Sequence, residues 1–338
     1  MSDQSIKKSS LMKQEALQAS SLIERQLKTN QPLVEKIAQA IKLFQPYNVM
    51  FVGRGSSDHA GTFGKYLIEI ETAIPTFSAA PSVATVYNKA LKLSKTLVIV
   101  VSQSGRSPDI LEQTKQAKAA GALCIALVND LSSPLVELVD WVYPLGVGQE
   151  KSVAATKSYL ATIAAIIQLV AVWSASHSLI QALDQIPKLL DDAAKAPAQI
   201  KTGDLDNLVN LVVIGRGLGF AIGNEIALKM KEVCGLHAES FSSAEFLHGP
   251  ATLVDKNFTL INIGINDETQ VVHNQQIEAL KNRGANIVNL FQVDAQVHPR
   301  IAPLAILQRF YLDIESIAVE RGLDPDRPPG LKKVTQTL

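Results

Sequence analysis

Val98-Ile99-Val100-Val101-Ser102-Gln103-Ser104-Gly105-Arg106-Ser107 decides how this chain is read. Four apolar residues, three of them valine and one isoleucine, predict a strand buried on both faces. The strand gives way to hydroxyls, an amide and a glycine. Pro108-Asp109-Ile110-Leu111-Glu112-Gln113-Thr114 follows, with proline where the first turn of a helix accepts it. Three serines and a row of free backbone N–H groups therefore lie between a strand end and a helix start. An α/β sheet binds anions at such a place. No Gly-Lys-Ser/Thr follows, which excludes a Walker loop, and the glycine pattern of a dinucleotide fingerprint is absent. A small phosphate ester held by neutral donors fits these residues, as does an ordinary serine-rich turn.

The chain also repeats itself. Phe51-Val52-Gly53-Arg54-Gly55 recurs as Val213-Ile214-Gly215-Arg216-Gly217, 162 positions later. At the same offset Leu97–Val101 falls on Thr259–Ile263, and one residue further out Gly121–Ile125 matches Gly284–Val288. Three matched strands in one order predict a single α/β unit written twice, with a period too long for a solenoid. The loops have diverged. Ser102-Gln103-Ser104-Gly105 stands in the first copy and Gly264-Ile265-Asn266-Asp267 in the second.

Composition narrows the class. A chain of 338 residues with 47% apolar content suits two cores of ordinary size. Lys+Arg and Asp+Glu balance at 32 each, so no basic field points to nucleic acid. Cys124 and Cys234 lie in apolar patterns and suggest a reducing cytoplasm without disulfides. The first ten residues lack an apolar signal core, and Leu160–Trp173, interrupted by Gln168, reads as a buried helix rather than a membrane span. The expectation is a cytoplasmic protein with no nucleic-acid or membrane partner. No metal-ligand cluster or nucleotide loop is visible, so neither metal nor cofactor is expected.

Helical spacing covers residues 11–29, with Asn30 and Pro32 ending the pattern, and a second helix runs to about Phe44. Strands are expected near 49–53, 76–79, 97–101, 122–128 and 141–144, then near 210–215, 237–240, 258–263 and 285–291. Strand–helix alternation of this kind predicts parallel sheets. The domain reading is an N-terminal helix (1–31), a first unit with the phosphate loops (32–186), a linker (187–206), a second unit (207–323) and an irregular C-terminal tail (324–338).

Several motifs now carry a resemblance. Gly53-Arg54-Gly55-Ser56-Ser57-Asp58-His59-Ala60-Gly61, the Ser-Gln-Ser-Gly loop and Ser152-Val153-Ala154-Ala155-Thr156-Lys157 resemble the first sugar-isomerase (SIS) domain of the double-SIS family. Glu225-Ile226-Ala227-Leu228-Lys229-Met230-Lys231-Glu232, His237-Ala238-Glu239 and Glu245-Phe246-Leu247-His248-Gly249-Pro250 resemble the second. Leu331-Lys332-Lys333 resembles that family's C-terminal Leu-x-Lys. The likeness extends over roughly residues 30–338, to the isomerase half of glucosamine-6-phosphate synthase and to stand-alone SIS-type glucosamine-6-phosphate deaminases. It implies two tandem SIS domains, each a doubly wound, flavodoxin-like parallel sheet flanked by helices. The synthase opens with a glutaminase domain, whereas this chain starts Met1-Ser2-Asp3. The expectation drawn is that no ammonia is delivered and that the isomerase chemistry runs toward deamination.

Residue by residue, the resemblance implies a phosphate cradle of Ser102, Gln103, Ser104 and Ser107, joined by Ser56 and Ser57, with Val153 and Ala155 against the sugar. Arg106 either adds charge there or faces solvent. Glu232 matches a base that shuttles a proton between C1 and C2; read by itself it is a helix glutamate pairing with Lys229. His248 matches a ring-opening histidine that reaches the neighbouring subunit's site, which implies a homodimer with shared active sites; a structural histidine is the alternative. Lys333 matches a Schiff-base lysine, with Lys332 beside it leaving the register open by one; a solvated lysine is the plain reading. Lys229 and Glu225 precede Glu232 by one and two turns and should face the same cleft. His59 reads equally as capping, packing or catalysis.

The function implied is conversion of glucosamine 6-phosphate and water to fructose 6-phosphate and ammonia. Two alternatives stand beside it. One is the same chemistry on galactosamine 6-phosphate or a glycated amino-acid 6-phosphate. The other is a phosphosugar sensor without catalysis.

Overall fold

The computed structural model describes residues 9–208, 210–331 and 333. Five parallel strands form the first sheet: β1 (Asn48–Val52), β2 (Thr76–Ser78), β3 (Thr96–Ser102), β4 (Leu123–Val128) and β5 (Trp141–Pro144), in the order β2-β1-β3-β4-β5. The second sheet is β6 (Asn210–Gly215), β7 (His237–Ser242), β8 (Thr259–Gly264) and β9 (Asn286–Phe291), in the order β7-β6-β8-β9. Both are the doubly wound arrangement, and the second repeats the first without its last strand. In each sheet the winding reverses between the first and third strands, and the crevice outside their carboxyl ends is where such sheets take ligands. Val52 pairs with Val100 across β1 and β3, so the Gly53–Ser57 and Ser102–Ser107 loops leave the sheet side by side.

The duplication is visible in backbone detail. Gly55 and Gly217 each precede a helix, Ser56–Thr72 and Leu218–Cys234, and both adopt φ +54°. That left-handed turn favours glycine. These two equivalent helices pack against each other, with Tyr66 and Phe220 meeting edge to face at a centroid distance of 6.3 Å. The contact brings the Ser56 end of one copy against the Glu225–Lys229 face of the other.

Helix Lys157–Ser174 runs through the core between Ala19–Phe44 and Ser56–Thr72. It is long and apolar enough to cross a membrane, but 89% of it is buried inside the molecule, as in a core helix. Its polar Gln168 is satisfied: it accepts from the Tyr143 hydroxyl at 2.6 Å and donates to the Leu27 carbonyl at 2.9 Å.

Two local expectations are corrected. The N-terminal helical stretch breaks at Gln18, giving Leu11–Leu17 and Ala19–Phe44, and the second helix passes unbroken through Asn30 and Pro32. Asn30 does not stop it, because its amide donates across to the Pro144 carbonyl at 2.8 Å. A mid-helix proline costs about 3 kcal/mol. Burial of Ile23, Leu27, Val34, Ile37 and Ile41 offsets that, at about 1.5–3 kcal/mol each. The stretch read as a linker from Pro187 contains helix Ile186–Lys195. Pro187 starts that helix rather than breaking it, and Leu189, Leu190 and Ala193 bury one face.

After the last helix, Ala302–Glu320, the chain has no regular structure from Asp324 to Leu331. This strap is anchored at Asp326. Its carboxylate accepts from the backbone N–H groups of Leu11 and Met12, each at 2.8 Å, and its carbonyl accepts from Val153 N–H at 3.1 Å. Glu15 accepts from the N–H groups of Lys151 and Ser152 at 2.6 and 3.1 Å. The N-terminal helix, the strap and the 150–156 loop thus brace one another.

Candidate active site

The residues expected to act together converge on a cleft with two adjoining lobes. One, about 350 Å³, is lined by Arg54, Gly55, Ser57, Val101, Ser102, Gln103, Ser104, Ser107, Ile110 and Lys333. The other, about 190 Å³, is lined by Ser56, Glu150, Val153, Ala155, Ser158, Lys229, Glu232 and Leu331, and shares Arg54, Ser57, Gln103 and Lys333 with the first. Larger hollows elsewhere, such as 550 Å³ beside Phe241, Phe246 and Phe258, do not adjoin the serine loop.

The first lobe is built by backbone geometry. β3 is buried along its whole length and ends at Ser102. The Ser102 hydroxyl accepts from Gly105 N–H at 3.0 Å, folding the loop back on itself. Gly105 has φ +62°, and a Cβ there would fall 2.2 Å from the Ser133 hydroxyl. Gln103 offers its carbonyl to the N–H groups of Asn129 and Asp130. The loop is thereby held open ahead of helix Pro108–Ala119, with Ser104 and Ser107 facing the cavity. The second sheet's equivalent loop holds a carboxylate instead. Asp267 accepts from both the N–H and hydroxyl of Thr269, and its charge repels an anion.

The second lobe is a chain of charges across the junction of the two sheets. Glu225 is wholly buried; its carboxylate accepts from Ser56 Oγ at 3.0 Å and meets His59 Nδ1 at 3.1 Å. Lys229, equally buried, lies 3.2 Å from Glu225 and 2.6 Å from Glu232 Oε2, and donates to Ser56 Oγ at 3.2 Å. Burial opposes both charges. For Lys229 the two carboxylates outweigh it and raise its pKa; for Glu225 the Lys229 ammonium and His59 outweigh it and lower its pKa. Glu232 ends the chain, and its side chain keeps 21% exposure into the cleft. A carboxylate fixed at one oxygen by a buried ammonium and open at the other can receive and return a proton.

Lys333 closes the opposite side and donates to Glu150 at 2.9 Å. Glu150 is buried and also accepts from Ser158 Oγ at 2.6 Å and Thr156 N–H at 2.9 Å. Burial pushes its pKa up, but Lys333 and these donors prevail and hold it below the usual carboxylate range.

Ser56, Ser57, Ser102, Gln103, Ser104, Ser107, Val153, Ala155, Lys229, Glu232 and Lys333 therefore share one cleft. Lys332 lies outside the described residues. His248 does not join them: it is exposed at the end of helix Ser243–Leu247 and lines neither lobe. Arg106 faces away, donating to Asp130 at 2.9 Å and to Ser132. His59 lies behind the cleft, against Glu225. Sequence reasoning passed over Arg54, Glu150 and Ser158. Arg54 stood in a recognised motif, yet nothing in the sequence pairs it with Asp109, 55 positions away. Glu150 precedes the Ser152–Lys157 motif, but its burial is a tertiary fact.

Two parallel α/β sheets related by an internal repeat, sharing a polar cleft at their junction, define a tandem-repeat protein of the doubly wound class. More particularly, the chain belongs to the SIS domain family, whose model matches residues 42–172 and 206–296. It is 31% identical over 312 residues to the glutamine–fructose-6-phosphate aminotransferase (isomerizing) of Sulfurisphaera tokodaii, covering 89% of this chain and 51% of that protein. Its counterpart from Methanothermobacter thermautotrophicus is 31% identical over 302 residues, covering 84% and 51%. The chain spans about half the length of the curated relatives it matches. A protein from Silicibacter pomeroyi DSS-3, assigned as a phosphosugar isomerase, superposes with TM-score 0.88 at 35% identity over 94% of this chain and all of that one. The glucosamine-6-phosphate deaminase of Thermotoga maritima, at TM-score 0.73 and 21% identity over 94% of this chain and all of that one, shares the fold.

Proposed function

We propose that this protein is a cytoplasmic sugar-phosphate isomerase of the deaminating kind, converting glucosamine 6-phosphate and water to fructose 6-phosphate and ammonia. The observation that carries it is the pairing, in one cleft, of the serine loop with the Glu225–Lys229–Glu232 chain. The names of its relatives support the coarser part of the reading: aldose–ketose chemistry on a hexose 6-phosphate. The phosphate occupies the Ser102–Ser107 lobe, which brings C1 and C2 toward Glu232. Glu232 takes the proton from C2 of the opened aldehyde and returns it to C1. The aldehyde becomes a hydroxymethyl group and the C2 amine becomes an imine. Water, or exchange with the Lys333 amine followed by water, then releases ammonia. Ring opening falls to His248 of the partner subunit in a homodimer with shared sites, which accounts for its distance from this chain's own cleft. Every step is reversible, so the net direction follows the concentrations of the two sugar phosphates and ammonia.

Ammonia production from glucosamine 6-phosphate, galactosamine 6-phosphate and a glycated amino-acid 6-phosphate tests the reading. Turnover should be fastest by far with the first, and EDTA should leave it unchanged. No ammonia from any of them, with sugar phosphate still bound, would make the protein a sensor; preference for another amine would reassign the substrate.

A further inference from the structure

We infer that Arg54 supplies the positive charge that recognises the phosphate in this cleft, and that Asp109 is the residue that aims it. The inference rests on the sugar-phosphate reading and adds to it the group that makes the site selective for a phosphomonoester over an uncharged sugar.

The serines of the first lobe, Ser57 from one loop and Ser102, Ser104 and Ser107 from the other, offer only neutral donors. Arg106, inside the Ser102–Ser107 loop, is spent on Asp130 and Ser132. Lys333 touches the lobe but is committed to Glu150. Arg54 lines both lobes, and its side chain is 49% exposed there. Beneath it Asp109 is fully buried and accepts from Arg54 Nε at 2.8 Å through Oδ2. The other Asp109 oxygen accepts from Ile110 N–H at 2.9 Å, fixing the carboxylate to the start of helix Pro108–Ala119. A guanidinium held at Nε has a fixed plane. Its two terminal amino groups have no hydrogen-bond partner among the described residues, and they form a fork suited to two phosphate oxygens. An arginine serving only to tie the two loops together would need no face on the cavity.

Phosphate binding is made in ground and transition states alike, so its loss should raise KM and spare kcat. Inorganic phosphate and glucosamine 6-phosphate are the probes. Arg54→Gln should weaken phosphate binding, by calorimetric titration, and raise KM for glucosamine 6-phosphate, each about 10- to 100-fold, the range of a charge-assisted hydrogen bond or two. Binding of unphosphorylated glucosamine should stay within about twofold. Arg54→Lys, which keeps the charge but loses the fork, should fall between, and it carries the test if the glutamine variant does not fold. Asp109→Asn should reproduce the KM rise with a smaller effect on kcat. A structural tie alone would lower Tm and affect glucosamine and phosphate equally. Phosphate affinity within twofold of wild type in both Arg54 variants would overturn the inference. A wild-type protein that releases no ammonia, yet loses phosphate binding with Arg54, would sink the enzymatic reading and leave this one standing.

Discussion

Lys229 sits between Glu225 and Glu232 with almost no contact with solvent, and an ammonium in that position persists only because two carboxylates compensate its lost hydration. The consequence is a fixed geometry: Glu232 cannot swing away from the cleft without leaving Lys229 half paired. Lys333 is held differently. Among the described residues its ammonium is held by Glu150, 2.9 Å away, and the amine must shed its proton before it can act as a nucleophile. Borohydride added with fructose 6-phosphate should therefore attach the sugar covalently to Lys333, seen as a mass increase on the C-terminal peptide. An unlabelled peptide would leave imine breakdown to water.

Among the elements, the least expected in importance is the short helix Leu11–Leu17, whose two ends brace both the strap and the 150–156 loop. Asp326 caps its first N–H groups, and such a cap is worth about 0.5–2 kcal/mol. Asp326→Ala should lower Tm by about 2–4 °C per kcal/mol lost. It should also reduce kcat, because the same strap carries Lys333 to the cleft; unchanged kcat at reduced Tm would confine Asp326 to stability. This coupling was not legible in the sequence. Strand β3 with its serine loop was, because an apolar run ending in hydroxyls and glycine is a local signal. Helix Ala19–Phe44 was misread at Asn30 and Pro32, since the Pro144 carbonyl that engages Asn30 comes from a strand 114 positions away. Pro187 lies in the first turn of helix Ile186–Lys195, where a proline is accepted, so it marks a start rather than an irregular stretch.

At the scale of the molecule, the duplication explains the division of labour. Equivalent helices from the two copies pack face to face, so the serine loop of one sheet and the carboxylate–lysine chain of the other meet at their junction. The repeat was legible from Gly-Arg-Gly and the strands around it. That the two loops had diverged was legible too, and in the second copy Asp267 places a carboxylate in the loop. His248 remains the piece outside this chain's cleft. If it completes a partner's site, dimers carrying only Glu232→Gln or only His248→Ala should be nearly inactive. Mixed by unfolding and refolding, they should recover about a quarter of wild-type activity, because about half the dimers then hold one intact site of two. A mixture as inactive as its parents, with heterodimers confirmed, would place both residues in one chain.

The central claim is that Glu232 moves the C2 proton of a sugar held by its phosphate in the first lobe. Following C2 deuteration by NMR, in heavy water with glucosamine 6-phosphate, tests it most directly. The wild-type protein should exchange the C2 proton during turnover, and Glu232→Gln should abolish exchange and lower kcat by about 10²- to 10⁴-fold with sugar-phosphate binding retained. Exchange at the wild-type rate in Glu232→Gln would contradict the account and return Glu232 to the surface of its helix.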